Sequence, residues 1–265
     1  MLLSHLDSYK MDITAIQEIR WTGEGIIDNK NHTIFYSCDG KHYMFGTGFI
    51  VNKRIEHLVK DFKAKTPRIC RIGVRELFFN YSLICLHAPK KEKNDSGKDN
   101  LYEDLDQTYE EYPKRDVKII IVDFNAKQYQ EEMYRPIIGK YNLHTLSNDN
   151  GISLTNFACS KNMVVASTLF NHKDIHTMIW RSPDGQIFNQ IYHLLIDARH
   201  VSNEMDVRTF IRANIDSDQY LLISKIRSRN SNARKTYGSY GKKFNSEKQK
   251  SPETSSAYRQ KLNEY

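Results

Sequence analysis

Residues 117–126 read Val-Lys-Ile-Ile-Ile-Val-Asp-Phe-Asn-Ala. Five of the first six are β-branched aliphatics, and the run stops abruptly at Asp123. So short a β-branched run, closed by an acid, reads as a strand. The Asp-Phe-Asn that follows has an ordinary reading as an Asx turn opening a loop.

Further strand candidates lie outward from this run: residues 12–17, 46–51, 69–76, 79–87 and 191–197. Each is short and rich in β-branched or aromatic residues, with Gly, Pro or polar residues at its ends. Residues 69–76 and 79–87 are close enough to form an antiparallel hairpin. Between the strands, Leu101, Leu105, Tyr109 and Tyr112 share one face of a helix over 99–112, with Asp99 as its expected N-cap. Leu154, Phe157 and Ala158 have helical spacing in 151–159. Strands interspersed with a few helices predict an α/β layered fold.

Composition limits the function classes. The chain has 265 residues, of which 39% are hydrophobic and 27% charged, which suits a packed core and excludes wholesale disorder. No apolar run approaches the ~18 residues of a membrane span, and the opening residues lack a secretory pattern. Cys38, Cys70, Cys85 and Cys159 are scattered, with no CxxC pair. Buried free thiols and an intracellular location, nuclear or cytoplasmic, are expected.

The net charge of +7 is unevenly spread. Residues 225–265 hold 11 Lys/Arg against 3 Asp/Glu, a net of +8, which leaves the first 224 residues at −1. Apolar periodicity fades after Ser228, although a weak helical pattern resumes near 257–265. The expected organisation is one domain over 1–228 and a basic tail over 229–265. Such a tail suits a polyanion such as nucleic acid, or serves as a solvated linker.

Several places carry groups fit for chemistry. Glu18 follows an apolar strand in IQEIRW; Asp123 and Asn125 follow another; Asn189 and His193 flank Tyr192 in NQIYH; Asp218 precedes an apolar run in SDQYL. Each also has a plain structural reading, as a surface residue, a turn former or a helix cap. Gathered at strand ends, however, carboxylates and carboxamides are the hard-oxygen donors that suit Mg²⁺ in phosphoryl displacement.

The order of these motifs adds information that none carries alone. IQE-x-RW (16–21), LHAP (86–89), DFNAK (123–127), SPDG (182–185), NQI-x-H (189–193) and SD (217–218) together resemble the endonuclease/exonuclease/phosphatase superfamily. More narrowly, the chain resembles the endonuclease region of RTE-type non-LTR retrotransposons, a group that includes craniofacial development protein 2-like sequences. The resemblance runs from Asp7 to about Arg229. It includes SNDNG (147–151), STLFNHKDIH (167–176) and WRSPDG (180–185), and even the tail is similar to a segment joining endonuclease to reverse transcriptase.

The resemblance implies a two-sheet α/β sandwich with its site at one end of the sheets. It implies that Glu18 binds Mg²⁺ or Mn²⁺, that Asp123 positions the attacking water, and that Asn125 holds the phosphate. It further implies that His87 lies near the phosphate, with Asn189 in the catalytic set and Asp218 as a metal or site-shaping carboxylate. Trp180 and the 181–189 loop, with the tail, would meet DNA; no membrane is involved.

Four departures from the family pattern stand out. Val122 replaces a glycine, which is expected to crowd the turn. Tyr192 and Gln219 occupy the positions of an acid and a histidine that act as a pair. The family's opening strand, of the form WNVRT, is absent, which leaves a sheet edge without its neighbour. Acid/base groups contribute about 10²–10⁴-fold each, so the expectation is an impaired Mg²⁺-dependent DNA endonuclease, the alternative being a non-catalytic nucleic-acid-binding or interaction module.

Overall fold

The computed structural model describes residues 2–41, 43, 45–88, 95–129, 132–182, 186–210 and 220–228, and the backbone of 243–245. Helix α1 (Leu2–Ser8) precedes strands β1 (Ile13–Gln17), β2 (Glu24–Asp28), β3 (His32–Ser37), β4 (Thr47–Asn52), β5 (Val59–Thr66), β6 (Ile69–Val74) and β7 (Tyr81–His87). Helix α2 (Asp95–Glu110), β8 (Val117–Asp123), helix α3 (Asp149–Ser160) and β9 (Met163–Val165) follow. The remaining strands are β10 (Trp180–Arg181), β11 (Phe188–Asn189), β12 (Tyr192–Asp197), β13 (Glu204–Phe210), β14 (Leu221–Ile226) and β15 (Lys243–Asn245).

Two sheets pack face to face. The first runs β1-β4-β3-β2-β15 and the second β5-β6-β7-β8-β12-β9, while β10-β11 and β13-β14 form two-stranded ribbons. Phe35, Phe49 and Val51 of the first sheet meet Ile72, Leu83, Ile119 and Leu194 of the second in the central core. The opposite face of the second sheet (Ile84, Leu86, Ile120, Val122) is covered by Leu101, Leu105 and Tyr109 of α2 and by Leu154, Phe157 and Ala158 of α3. Leu6 of α1 covers Ile34 and Ile50 on the outer face of the first sheet.

Strand β8 is therefore apolar throughout because alternate residues serve two cores: Ile119 and Ile121 face the first sheet, Ile120 and Val122 the helices. The polar exception, Lys118, is buried with its Nζ donating to the Tyr109 carbonyl at 2.7 Å and lying 3.8 Å from that ring's centroid.

The structure corrects the sequence-based reading in several places. Helix α2 starts at Asp95, so Asp99 lies inside it rather than capping it; α3 is capped by Asn148, whose side chain accepts from the Gly151 amide. Val122 crowds no turn, because it is 1% exposed within β8 and registers with Leu86 and His193. Cys38, Cys70 and Cys85 are buried free thiols as expected, but Cys159 is exposed. The 69–76/79–87 hairpin pairs antiparallel, from Ile69↔Leu86 to Val74↔Tyr81, with six residues between its strands. Short, charge-interrupted strands such as β2 (EGIID) escape a periodicity reading altogether.

Candidate functional site

Three strands end side by side. His87 on β7 registers with Asp123 on β8 in a parallel pair, and Asp123 registers with Tyr192 at the start of antiparallel β12. The Ala88 amide donates to the Asp123 carbonyl at 2.8 Å and extends the parallel ladder past the strand ends. His87 and Asp123 are both buried, at 5% and 3% exposure. The chain then turns sharply: the Asn125 amide donates to Asp123 Oδ1 at 3.1 Å, and Asn125 adopts φ 49°, a left-handed conformation that Asn tolerates better than most residues.

Glu18 reaches this place from the other sheet. It follows β1 with φ 52°, and Arg20 follows with φ 54°. The turned segment is tied down by Ile19 and Arg20 amides donating to the Gly46 and Phe45 carbonyls. Glu18 Oε2 accepts from Arg20 Nη2 at 2.9 Å, and its Oε1 lies 3.6 Å from His87 Nε2. Arg68 packs 3.9 Å over the Phe45 ring and donates to the His87 carbonyl at 3.1 Å. Burial pushes the Arg68 pKa down, while the Glu18 charge works against that shift. Glu18, His87 and Asp123 thus form a contiguous group where both sheets end.

The loop after β8 is held from behind by buried polar groups. Asn148 Oδ1 accepts from the Lys127 amide at 2.9 Å, its Nδ2 donates to the Asn125 carbonyl at 3.0 Å, and Asn150 Nδ2 donates to the Phe124 carbonyl at 2.9 Å. Gly151 permits this approach, since a Cβ there would lie 2.2 Å from the Lys127 carbonyl oxygen. From the other side, His193 Nε2 lies 2.9 Å from the Ala126 carbonyl and its Nδ1 lies 3.0 Å from Ser167 Oγ. A carbonyl only accepts, so Nε2 carries the proton and the Ser167 hydroxyl donates to Nδ1. Complete burial pushes the His193 pKa down to about 4 and keeps it neutral. Gln190 completes the support, with Oε1 accepting from the Leu143 amide and its backbone amide donating to His144 Nε2. His144 is likewise pushed down to about 4, chiefly by burial.

No family model matches the chain. It is 32% identical to craniofacial development protein 2 from Tragulus javanicus over 222 residues, and 31% identical to the Bos taurus protein over the same length. Those matches cover 84% of this chain but only 38% and 37% of the relatives, so the chain spans well under half of their length. Among solved structures, the Xenopus laevis APE2 catalytic domain superposes with TM-score 0.64 at 14% identity, covering 87% of this chain and 88% of that one. The endonuclease domain of TRAS1, a telomere-specific non-LTR retrotransposon, gives 0.59 at 16% identity, covering 85% and 90%. An AP endonuclease from Archaeoglobus fulgidus gives 0.61 at 15%, covering 85% and 93%. The fold is that of the endonuclease/exonuclease/phosphatase superfamily.

Within this superfamily fold the remaining expected site residues are Asn189 and Asp218. Asn189 is half-buried on β11, opposite Trp180, and its carbonyl accepts from the Ile179 amide. Asp218 and Gln219, like residues 183–185 of the Trp180 loop, lie outside the described residues. Among the described residues no group of three or more His, Cys, Asp or Glu is gathered tightly enough to hold an ion by itself. Mg²⁺ in its sparser mode needs only one or two carboxylates, with waters completing the shell; Glu18 offers one at the rim, and its expected companion Asp218 lies outside the described residues. Among the described residues no helix is long and apolar enough to cross a membrane.

Sequence reading named Glu18, His87 and Asp123, which lie together here, but gave no role to Asn148, Asn150 or Gln190 behind them. The SNDNG phrase was visible only as a family resemblance, although Asn-Asp-Asn-Gly before an apolar helical pattern is itself a capping signal. His193, next to Tyr192 on β12, turns to the opposite face, into the network that carries the loop.

Proposed function

We propose that this domain is a retrotransposon-derived DNA endonuclease whose phosphodiester-hydrolysing machinery is impaired. The observation that carries the reading is the register of Tyr192 directly beside Asp123, with His87 on Asp123's other flank. The family resemblance calls for an acid at Tyr192. A phenol titrates near ~10, so it supplies no carboxylate at neutral pH. Its partner position holds Gln219, which neither carries a proton for transfer nor becomes cationic.

In this reading Glu18 and Asp218 hold Mg²⁺, which when bound would neutralise charge on the scissile phosphate. Asp123 accepts a hydrogen bond from the attacking water and orients it. Asn125 and Asn189 donate to phosphate oxygens. His87, between Glu18 and Asp123, donates to the phosphate or keeps the two carboxylates apart. DNA as the substrate is supported by solved proteins of the same fold, one of which, NExo from Neisseria, is described bound to a product DNA hairpin. The Trp180 loop and the tail are the proposed DNA contacts.

The test is nicking of supercoiled plasmid in Mg²⁺. The expected result is activity that is undetectable or several orders of magnitude below that of an intact relative, with partial recovery in the double variant Tyr192→Asp, Gln219→His. Robust nicking by the unaltered chain, lost in Glu18→Ala, would show a working enzyme and overturn the impairment.

A second reading, a nucleic-acid-binding module, rests on the charge asymmetry: +8 over residues 225–265 against −1 for the rest. Deleting 229–265 should then weaken DNA binding evenly across sequences and flatten its salt dependence. Binding unchanged by the deletion would place the DNA surface on the domain itself.

A further inference from the structure

The turn between β6 and β7 lies at the opposite end of the second sheet from His87 and Asp123, beside the Val74↔Tyr81 and Tyr81↔Val117 partners. It carries Leu77, Phe78 and Phe79, which are 54%, 64% and 49% exposed. Among the described residues no other stretch exposes three large apolar side chains in a row. The turn is nevertheless fixed. Glu76 Oε2 accepts from the Phe78 and Phe79 amides at 2.9 and 3.3 Å, and Glu76 Oε1 accepts from Ser228 Oγ at 3.4 Å. The Val117 amide donates to the Asn80 carbonyl at 2.8 Å and ties the turn to β8. Phe79 rests against His200, with ring centroids 5.1 Å apart. Hydrogen bonds to a carboxylate thus order the backbone that carries the apolar side chains, and that ordering cost is met before anything binds.

Beside the turn is a hollow of about 230 Å³, lined by Phe78, Phe79, Tyr81, Val117, His200 and Arg227. That is below the ~300 Å³ at which sites for drug-sized ligands begin, and it suits one inserted side chain. Its walls are held by the Tyr81 hydroxyl donating to the Arg227 carbonyl at 3.3 Å and by the Arg227 amide donating to the Asn203 carbonyl at 2.8 Å. The surrounding charge is one-sided. Arg75 next to the turn, Lys114 and Arg115 ahead of β8, and Arg227 at the hollow are all exposed. The acids of the same segments are engaged: Glu76 with the turn amides, and Asp116 buried against Ser82.

We propose that the turn and hollow dock a short acidic segment of a partner protein, with a Leu or Phe anchor in the hollow and Asp or Glu on either side of it facing Arg75, Lys114, Arg115 and Arg227. Charge selects this occupant. The chain's own tail is basic, at +8 over residues 225–265. A second copy, docked about a two-fold axis, would bring the same four cations face to face. Area agrees: at ~150–250 Å² for a large side chain, the three leave roughly 300 Å² of apolar surface, well short of the ~800 Å² per partner of a stable complex between folded proteins. A flat lipid surface would cover the turn and leave the hollow unfilled. The proposal is independent of whether the site at the other end hydrolyses anything.

The test is fluorescence polarisation of labelled peptide DEDLFDED titrated with the full chain. Saturable binding is expected. It should weaken at least about tenfold in the double variant Leu77→Ser, Phe78→Ser and in the double variant Arg75→Glu, Arg227→Glu. Both variants should melt within about 2 °C of the unaltered chain, because all four side chains are exposed. DEDSSDED, without the anchors, and KRKLFKRK, without the acids, should each bind at least about tenfold more weakly than DEDLFDED. Equal binding of KRKLFKRK would reduce the site to an apolar patch and overturn the proposal. Equal binding of DEDSSDED, or binding unaffected by either double variant, would place the peptide on the basic tail and overturn it too. So would an absence of peptide binding, or binding only to phosphatidylserine-containing vesicles, which would make the turn a lipid contact.

Discussion

Two turns bring carboxylates to the candidate site, and they are built in opposite ways. The turn after β8 carries Asp123 and is buried, with Asn148, Asn150 and His193 each bonded to its backbone. The turn after β1 carries Glu18 and lies at the rim, its side chain 31% exposed and held by Arg20 and His87. Both turns use left-handed backbone, but the first spends it on Asn125, whereas the second places Glu18 and Arg20 there, at a cost of about 1–2 kcal/mol each. Fold stability and site geometry are thus the same thing around Asp123 and separate things around Glu18. A carboxylate held by charge pairs at a rim is also the one freer to exchange partners.

The comparison breaks most readily at His193. His193→Ala should lose about 3–5 kcal/mol, because it opens a buried space and strands both the Ala126 carbonyl and the Ser167 hydroxyl. Urea unfolding measures it, and a loss below about 1 kcal/mol would mean the loop does not depend on this support. Acid should reach the same turn. His193 and His144 are pushed down to about 4 in the folded state, so the unfolded chain binds more protons between pH 4 and 6.5. Their contribution is intact above about 6.5 and is lost as pH falls towards 4, about 3 kcal/mol for His193.

Glu204 opposes this trend. Burial raises it to about 7, so its contribution is full below about 4.5 and is lost as pH rises through 7. Repeating the titration in Glu204→Gln should therefore steepen the net loss of stability as pH falls from 7 towards 4.5. Next in size, Asn148→Ala removes an N-cap and two loop contacts and should lose about 1–2 kcal/mol in thermal unfolding. Smallest is Glu18→Gly, which should leave stability unchanged or raise it by up to about 1 kcal/mol, since glycine accepts φ 52° without strain. A loss of more than 1 kcal/mol there would show the rim turn to be as structural as the buried one.

The same contrast explains what the sequence made legible. β8 was readable because burial on two faces demands an unbroken apolar run, and α3 because Leu154, Phe157 and Ala158 fall on one face. β2, β13 and β14 were not, because half-exposed strands mix charge with aliphatics and leave no single period. At the site, Glu18 and Asp123 were found from acids at strand ends, and the family resemblance supplied His87. Their supports, Asn148, Gln190 and His193, depend on contacts between segments more than 20 residues apart, which no local pattern records.

The pairing of β7 with β8 has a consequence for how the site comes into being. Val74 and Tyr81, partners across β6 and β7, are 7 residues apart in the chain, whereas Tyr81 and Val117, partners across β7 and β8, are 36 apart. A parallel pair cannot close through a hairpin and waits for a crossover, here the one that contains α2. The entropy of closing the longer loop is met before the pairing rewards it. The expected folding order is therefore the β5-β6-β7 meander first and β8 later, after α2 has docked. His87 and Asp123 become neighbours only at that later step, so a partly folded chain would carry a formed meander and no site.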